Sequence, residues 1–288
     1  MTRRTALLSV LPLGTATAAY ARFVEPVWLK TTYRQVQLPG LTQVQPIRLV
    51  HLADLHASGC VPNSLIEHAI ELTLAQKPDL VCITGDFVTS PRGGYDGKWY
   101  RRTLEVLPKR VPTYATMGNH DGGSWSSQWK AHNSSAPIRD LVGSSGVDVV
   151  HNQQRLVTVR DQELRLVGLG DLWAMEMEPL KAFGRLHETY PGPTILMSHN
   201  PDSKSEVGRF QWELMLSGHT HGGQVVMPVT GLSPAPVNDR RYIYGLLPWR
   251  DRQIHITSGV GNAQGVRFNC RPEISVLDLV PQRDETNA

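Results

Sequence analysis

The feature that most constrains this chain is a repeated punctuation, in which apolar, strand-like runs end in Asp, Asn or His. Ile47 to Leu52 is followed by Asp54-Leu-His56, and Asp79 to Thr84 by Gly85-Asp86. Thr113 to Met117 leads into Gly118-Asn-His-Asp121, and Thr194 to Met197 into Ser198-His199. A last run ends at Leu216 and opens onto Ser217-Gly-His-Thr-His221-Gly-Gly-Gln224, with two imidazoles set among glycines. Short apolar runs bounded by turn residues read as buried strands. Asp54 and Asp86 are 32 residues apart, and Asp86 and Asn119 are 33 apart. That is the length of one strand, crossover helix and strand unit, roughly 30 residues or more. Two such units set three strand ends side by side at one edge of a mostly parallel sheet, where open α/β sheets hold their ligands.

The donor set narrows the chemistry. Carboxylate, imidazole and amide oxygen without cysteine favour Mn, Fe, Zn or Co. Asp54, His56, Asp86, Asn119, His199, His219 and His221 are too many ligands for one ion. They suit a pair about 3.5–4 Å apart sharing one carboxylate. Taken singly, each residue is more simply a cap or turn group, as Asp86 after Gly85 would be in an Asx turn. Five such strand ends in one chain argue for a shared site.

The blocks D-x-H, G-D, G-N-H-D, a lone H and G-H-x-H stand here in order. In this the chain resembles the calcineurin-like metallophosphoesterase superfamily, over about residues 47 to 280. Glu25-Pro26, Asp171-Leu-Trp173, His199-Asn-Pro-Asp202 and Arg271-Pro-Glu273 make it most similar to the bacterial Tat-exported phosphodiesterases of the YaeI/YkuE type. The resemblance implies a metallophosphoesterase fold of class α/β (α+β), a four-layer αββα sandwich of two mixed β-sheets flanked by helices. It implies two divalent metal ions, with Asp54, His56 and His221 on the first, Asn119, His199 and His219 on the second, and Asp86 bridging. It implies hydrolysis of a P–O bond by a metal-bridging hydroxide, with His120 meeting the leaving oxygen and oriented by Asp54 or Asp121. The substrate expected is a phosphodiester. A lipid-linked pyrophosphate of the UDP-2,3-diacylglucosamine type is the alternative, and a non-catalytic metal-binding scaffold a more distant one.

The rest of the chain is read around that site. The 288 residues, 40% hydrophobic, are enough for one large core. A net charge of +3, with no run of five Lys or Arg, excludes a nucleic-acid scaffold. Residues 1–21 read as a Tat-like signal or N-terminal anchor. Arg3-Arg4 precedes the apolar run Ala6 to Ala19, and Ala19-Tyr-Ala21 has the form of a cleavage site. This predicts export to the periplasm or cell envelope, with or without a membrane anchor, the cytoplasmic membrane face being the alternative. Residues 22–46 form an arm and a first strand at Gln35 to Leu38, residues 47–280 the catalytic domain and 281–288 a tail. Val27, Trp28 and Leu29 make an apolar patch suited to a membrane surface or to packing. Oligomeric state is not legible.

The spacing predicts a crossover helix over 62–76, a loop over 90–98, a second helix over 99–107 and a helix within 124–141 carrying Trp125 and Trp129. Short β-branched runs over 147–169, and again at 224–227, 242–245, 253–257 and 273–279, predict antiparallel strands. Asp171 and Trp173 follow a strand run, where Asp is commonly a turn residue and a place beside the ligands is the alternative, and Asn200-Pro-Asp202 is expected to stop the strand and start a helix, orienting His199 from outside the ligand set. Gly222 and Gly223 are expected to allow close backbone approach. Arg240, Arg241 and Arg267 are the candidates for a phosphate clamp, with solvated surface arginines as the default reading. Of the remaining histidines, at 51, 68, 132, 151, 187 and 255, His51 is expected in the core or behind the site. Three cysteines without C-x-x-C argue against a disulfide framework, with Cys82 in the core and a Cys60–Cys270 bridge left open.

Overall fold

The computed structural model describes residues 14–43, 45–90, 94–186 and 189–282. Strands β2 (Ile47–Leu52), β3 (Leu80–Thr84) and β4 (Thr113–Thr116) are parallel neighbours, as the spacing requires. Helix α1 (Asn63–Ala75) joins the first two and α2 (Gly97–Leu104) the next two. Leu65, Ile66, Ala69 and Ile70 form one buried stripe on α1, the repeat that a core-facing helix needs. Asp96 caps α2, its carboxylate accepting from the amides of Lys98 and Trp99. Along β2 the side chains alternate. Ile47, Leu49 and His51 point to the second sheet, while Val50 and Leu52 pack with the helices.

The first sheet is completed by β1 (Lys30–Leu38), β5 (Asp148–Val149) and β12 (Glu273–Pro281), in the order β1-β12-β2-β3-β4-β5. Only the β12–β2 pairing is antiparallel. The second sheet runs β10 (Gly245–Trp249), β11 (Arg252–Ile256), β9 (Leu214–Ser217), β8 (Thr194–Met197), β7 (Gln162–Gly168), β6 (Gln153–Val159). Its four central strands are parallel and its two edges antiparallel. Leu49, Cys82, Leu166, Met197 and Leu216 lie in the core between the sheets. Outside the first sheet pack α1, α2 and α4 (Ala136–Gly143). Outside the second pack α5 (Pro179–Phe183) and the segment Val207 to Trp212. The result is a four-layer αββα sandwich with two mixed sheets.

Several local expectations are corrected. The first strand is longer than Gln35–Leu38, because all of Lys30–Leu38 pairs with β12. The 147–169 region is not one meander: β5 adds in parallel to β4, and only β6 and β7 form a hairpin. Residues 224–227 make a single bridge, Val225 to Phe268, and the strand expected at 242–245 lies instead at Gly245–Trp249. Period-2 patterning marks a strand's faces but not its partner: β11 pairs antiparallel with β10, as expected, and parallel with β9 on its other side. The segment after Ser124 holds two short helices, α3 (Gly123–Ser127) and α4. Cys60, Cys82 and Cys270 are free thiols. Residues 1–13 of the expected leader, His187, and 283–288 of the tail lie outside the described residues.

Candidate metal centre

The five motif-bearing strands β2, β3, β4, β8 and β9 deliver their ends to one place. Asp54 and His56 follow β2, Asp86 follows β3, Asn119 and His120 follow β4, His199 follows β8, and His219 and His221 follow β9. The backbone turns sharply at most of these points. Asp54, His56, Asp86, His219 and His221 all hold left-handed φ, between +48° and +67°. A non-glycine residue there is strained, and such strain collects at sites where function fixes the geometry. Glycines close in around the carboxylates: a Cβ on Gly118 would stand 2.2 Å from Asp86 Oδ1, and one on Gly218 2.4 Å from Asp54 Oδ2.

Asp54, His56, Asp86 and His221 each bring one donor atom within 4.8 Å of all the others, and all four are buried. His56 Nε2 and His221 Nε2 are 3.2 Å apart. His56 Nε2 is 3.5 Å from Asp86 Oδ2, and His221 Nε2 is 3.6 Å from Asp54 Oδ1. Asp86 Oδ2 also lies 3.2 Å from His199 Nε2, and His219 Nδ1 lies 2.9 Å from Asn119 Oδ1. These spacings of 2.9–3.6 Å lie around the polyhedron edges of about 3.0–3.4 Å that metal–ligand bonds of about 2.1 Å give. Asp86 is the carboxylate common to both groups.

The buried nitrogens test whether an ion fits. His199 Nε2, buried and 3.2 Å from Asp86 Oδ2, has no hydrogen-bond partner. His199 Nδ1–H donates to the Thr84 carbonyl at 2.8 Å, so the lone pair of the neutral ring sits on Nε2, toward Asp86. Burial drives His56 and His219 down to about 3 and His221 well below its usual value, leaving them as neutral donors. Burial raises Asp54 to about 7, with the Asp86 charge adding to it against the pull of His199. His199 goes the other way. Burial opposes its charge, but Asp86, then Asp54 and Asp171, hold it protonated well above the usual range. Burial likewise opposes charge on Asp86, and His199, His120 and His56 overcome it. Without an ion, a proton on His199 supplies the positive charge this cluster calls for. The donor set therefore fits divalent cations.

The cavity above the cluster measures about 340 Å³ and is lined by Asp86, Asn119, His120, His219 and His221 on its floor. Trp125, Trp173, Gln224 and Gln264 are among its walls. Trp173 meets His219 edge-on at 4.4 Å, and Trp125 lies 4.3 Å from His120. His120 is positioned by its Nδ1–H donating to the Thr89 carbonyl at 2.8 Å. The expected Asp54 or Asp121 does not do this. Asp121 accepts from the amides of Gly118 and Val88 and so ties the β3 and β4 loops together. Burial, with the Asp86 charge, raises Asp121 to about 8. Asn200 starts the short helix Pro201–Lys204 as expected, its Oδ1 accepting from the Asp202 amide, while His199 is oriented by the Thr84 carbonyl. Asp171 Oδ1 accepts from the amides of Trp173 and Ala174 and so presents Trp173 to the cavity.

The phosphate-clamp expectation fails. Arg267 is wholly buried, donating to the carbonyls of Ser258, Gly259, Gly261 and Cys270. It thereby supports the turn whose Val260 and Gly261 amides donate to the carbonyls of Ala53 and Asp54. Arg241 pairs with Asp239 and Arg240 donates to Ser233, both at the surface. Thr84 and Thr89, which act through carbonyls, and Gly259, whose Cβ would strike Asp54, had no side-chain signal in the sequence.

Residues 47–223, which include every candidate ligand, match the calcineurin-like phosphoesterase family. The chain belongs to that family. Phosphodiesterase YaeI of Escherichia coli (strain K12) is 38% identical over 261 residues, covering 91% of this chain and 92% of that one. UDP-2,3-diacylglucosamine pyrophosphatase LpxG of Chlamydia muridarum (strain MoPn / Nigg) is 25% identical, covering 94% and 95%. The metallophosphoesterase YkuE of Bacillus subtilis (strain 168) is 26% identical over 280 residues, covering 95% and 94%. Family and buried cluster together make this calcineurin-like phosphoesterase a metal-dependent phosphoric ester hydrolase.

Proposed function

We propose that the chain is a dinuclear phosphodiesterase. Asp54, His56 and His221 would hold one ion and Asn119, His199 and His219 the other, with Asp86 shared between them. Bound there, two divalent ions supply Lewis acidity toward phosphoryl oxygens and a lowered pKa for bound water. His120 meets the leaving oxygen with Nε2, since Nδ1–H is held by the Thr89 carbonyl. Trp125 and Trp173 flank the ester substituents and exclude water from their faces.

The observation that carries the diester reading is the wall of the cavity. Among the described residues that line it, none is Lys or Arg. A phosphomonoester brings nearly two negative charges and a diester one, so a site whose only cationic help is its metals suits the diester. At about 340 Å³, the cavity is near the small end of the roughly 300–1,000 Å³ usual for ligand pockets. That supports a compact diester over a diacylated pyrophosphate within the pocket itself. Hydrolysis of bis-p-nitrophenyl phosphate beside p-nitrophenyl phosphate, with Mn, Fe(II), Co or Zn restored to stripped protein, tests the reading. Preference for the diester is expected with at least one of these metals, and preference for the monoester with all of them overturns it.

Export through a Tat-like leader belongs to the same proposal, on the strength of Arg3-Arg4 and the apolar run behind them. The exposed helical turns from Gly14 continue through Tyr20–Val24. Buried Ala21 accepts from the Arg267 amide, and buried Glu25 accepts from the amides of Asn269 and Cys270. The Ala21 contact, which cleavage after Ala21 would remove, supports a retained N-terminal segment, while the Glu25 contacts are kept in either case.

A further inference from the structure

Exposed large apolar side chains are not scattered over this molecule. Of the fourteen among the described residues, five stand on segments that line the catalytic cavity and four on the N-terminal arm hydrogen-bonded to those segments. Phe23, Val24, Val27 and Trp28 are on the N-terminal arm. Met227, Val229 and Leu232 form the tip of the loop whose two ends, Gln224-Val225 and Pro234 to Pro236, line the cavity. Trp129 and Met175 flank the wall residues Trp125 and Trp173.

These segments are tied into one rim. The Asn269 amide donates to Glu25 on the arm, and the Asn269 side chain donates to the Val226 carbonyl on the loop, both at 3.0 Å. Arg22 donates to the Gly265 carbonyl, next to Ala263 and Gln264 of the cavity wall. The loop tip is closed by the Met227 amide donating to Leu232, and the Ser124 amide donates to Ala174 between the two tryptophan segments.

Charge on the rim is one-sided. Arg22, Lys130 and Arg240 are exposed there and have no carboxylate partner among the described residues. The rim's acidic residues are already engaged. Glu25 is buried on two amides, Glu176 accepts from Ser135, and Asp239 pairs with Arg241. The exposed helical turns at residues 14–19 run into the same arm, and the thirteen residues before them carry Arg3 and Arg4 but no acid. Apolar side chains ringed by unpaired cations match an anionic bilayer, which takes the former at headgroup depth and the latter on its phosphates.

We propose that this rim seats the mouth of the cavity on an anionic phospholipid surface. The proposal does not depend on which phosphoester is cleaved. Its test is co-sedimentation of the full chain with vesicles of phosphatidylcholine, alone or with a quarter of phosphatidylglycerol, beside a Val229→Glu/Leu232→Glu variant. Turnover of soluble bis-p-nitrophenyl phosphate is followed in parallel. Wild type should bind the anionic vesicles, less so the neutral ones and less at raised salt. The variant should bind at least about tenfold more weakly, since each apolar side chain withdrawn from the interface is worth about that factor or more. Its turnover of the soluble diester should be unchanged, because neither side chain lines the cavity. Wild type left in the supernatant, or a variant that binds as wild type does, overturns the proposal. So does a dimer that forms without vesicles and is lost in the variant, which would assign the rim to a second copy. Loss of diester turnover in wild type would count against the phosphodiesterase reading alone.

Discussion

Five of the candidate ligands hold left-handed backbone, at about 1–3 kcal/mol each. Such a cost persists only where the surrounding structure fixes it, here through glycines against Asp54 and Asp86 and through the carbonyl clamps of Arg267. The motifs were legible residue by residue because the chemistry needs Asp, Asn and His side chains. The residues that aim them were not, since Thr84 and Thr89 work through carbonyls that any residue carries. Two predictions belong at this scale. His120→Ala should cut turnover by roughly 10²–10⁴-fold with metal content unchanged, because His120 stands over the cavity and its ring is fixed by Thr89. Turnover and metal analysis on the same sample check it, and loss of metal would remove the proton-donor role. Metal affinity should fall as pH drops below about 7. Asp54 is raised to about 7 and His199 well above its usual value, so protons compete for both positions on the acid side. Metal titrations at pH 6 and pH 8 would read this, and equal affinities would contradict it.

At the scale of elements, the two sheets are joined by a buried polar pair beside the apolar core. His51 on β2 and His255 on β11 meet Nδ1 to Nδ1 at 2.9 Å, and His51 Nε2 contacts the Thr84 hydroxyl, whose residue also orients His199. Burial depresses both, His255 to about 4, so each is neutral in the folded chain. A histidine whose folded pKa lies below its unfolded value stabilises the fold above about 6.5 and loses that contribution as pH falls through its folded pKa. For His255 the loss is on the order of 3 kcal/mol between pH 7 and pH 4. Urea unfolding of metal-free protein should show a steeper decline over that range in wild type than in His255→Leu, and parallel declines would refute the account. The strand and helix pattern of the β2–β4 units was readable because apolar runs and 32-residue spacings leave one arrangement. Partner choice was not readable. Nothing in Asp148-Val149 says that it joins β4, and nothing in Glu273 to Leu279 says that it inserts between β1 and β2.

For the whole molecule, the architecture converts five strand ends from two sheets into one buried donor set under a cavity with aromatic walls. The N-terminal arm, legible in the sequence only as an apolar patch, is bonded through Glu25 to residues 269 and 270, and Asn269 in turn bonds the loop that leads from the cavity wall. Sequence distance hid this, because the partners lie some 245 residues apart. The proposed dinuclear site turns on Asp86 as the carboxylate shared by two ions. Metal-stripped chain, reloaded with one transition metal at a time and freed of excess, would be assayed for bound metal per chain in wild type and Asp86→Ala. Two ions are expected in wild type and one or none in Asp86→Ala, with phosphodiester hydrolysis lost in the variant. A wild-type chain that saturates at one ion, or an Asp86→Ala chain that keeps two, would contradict it.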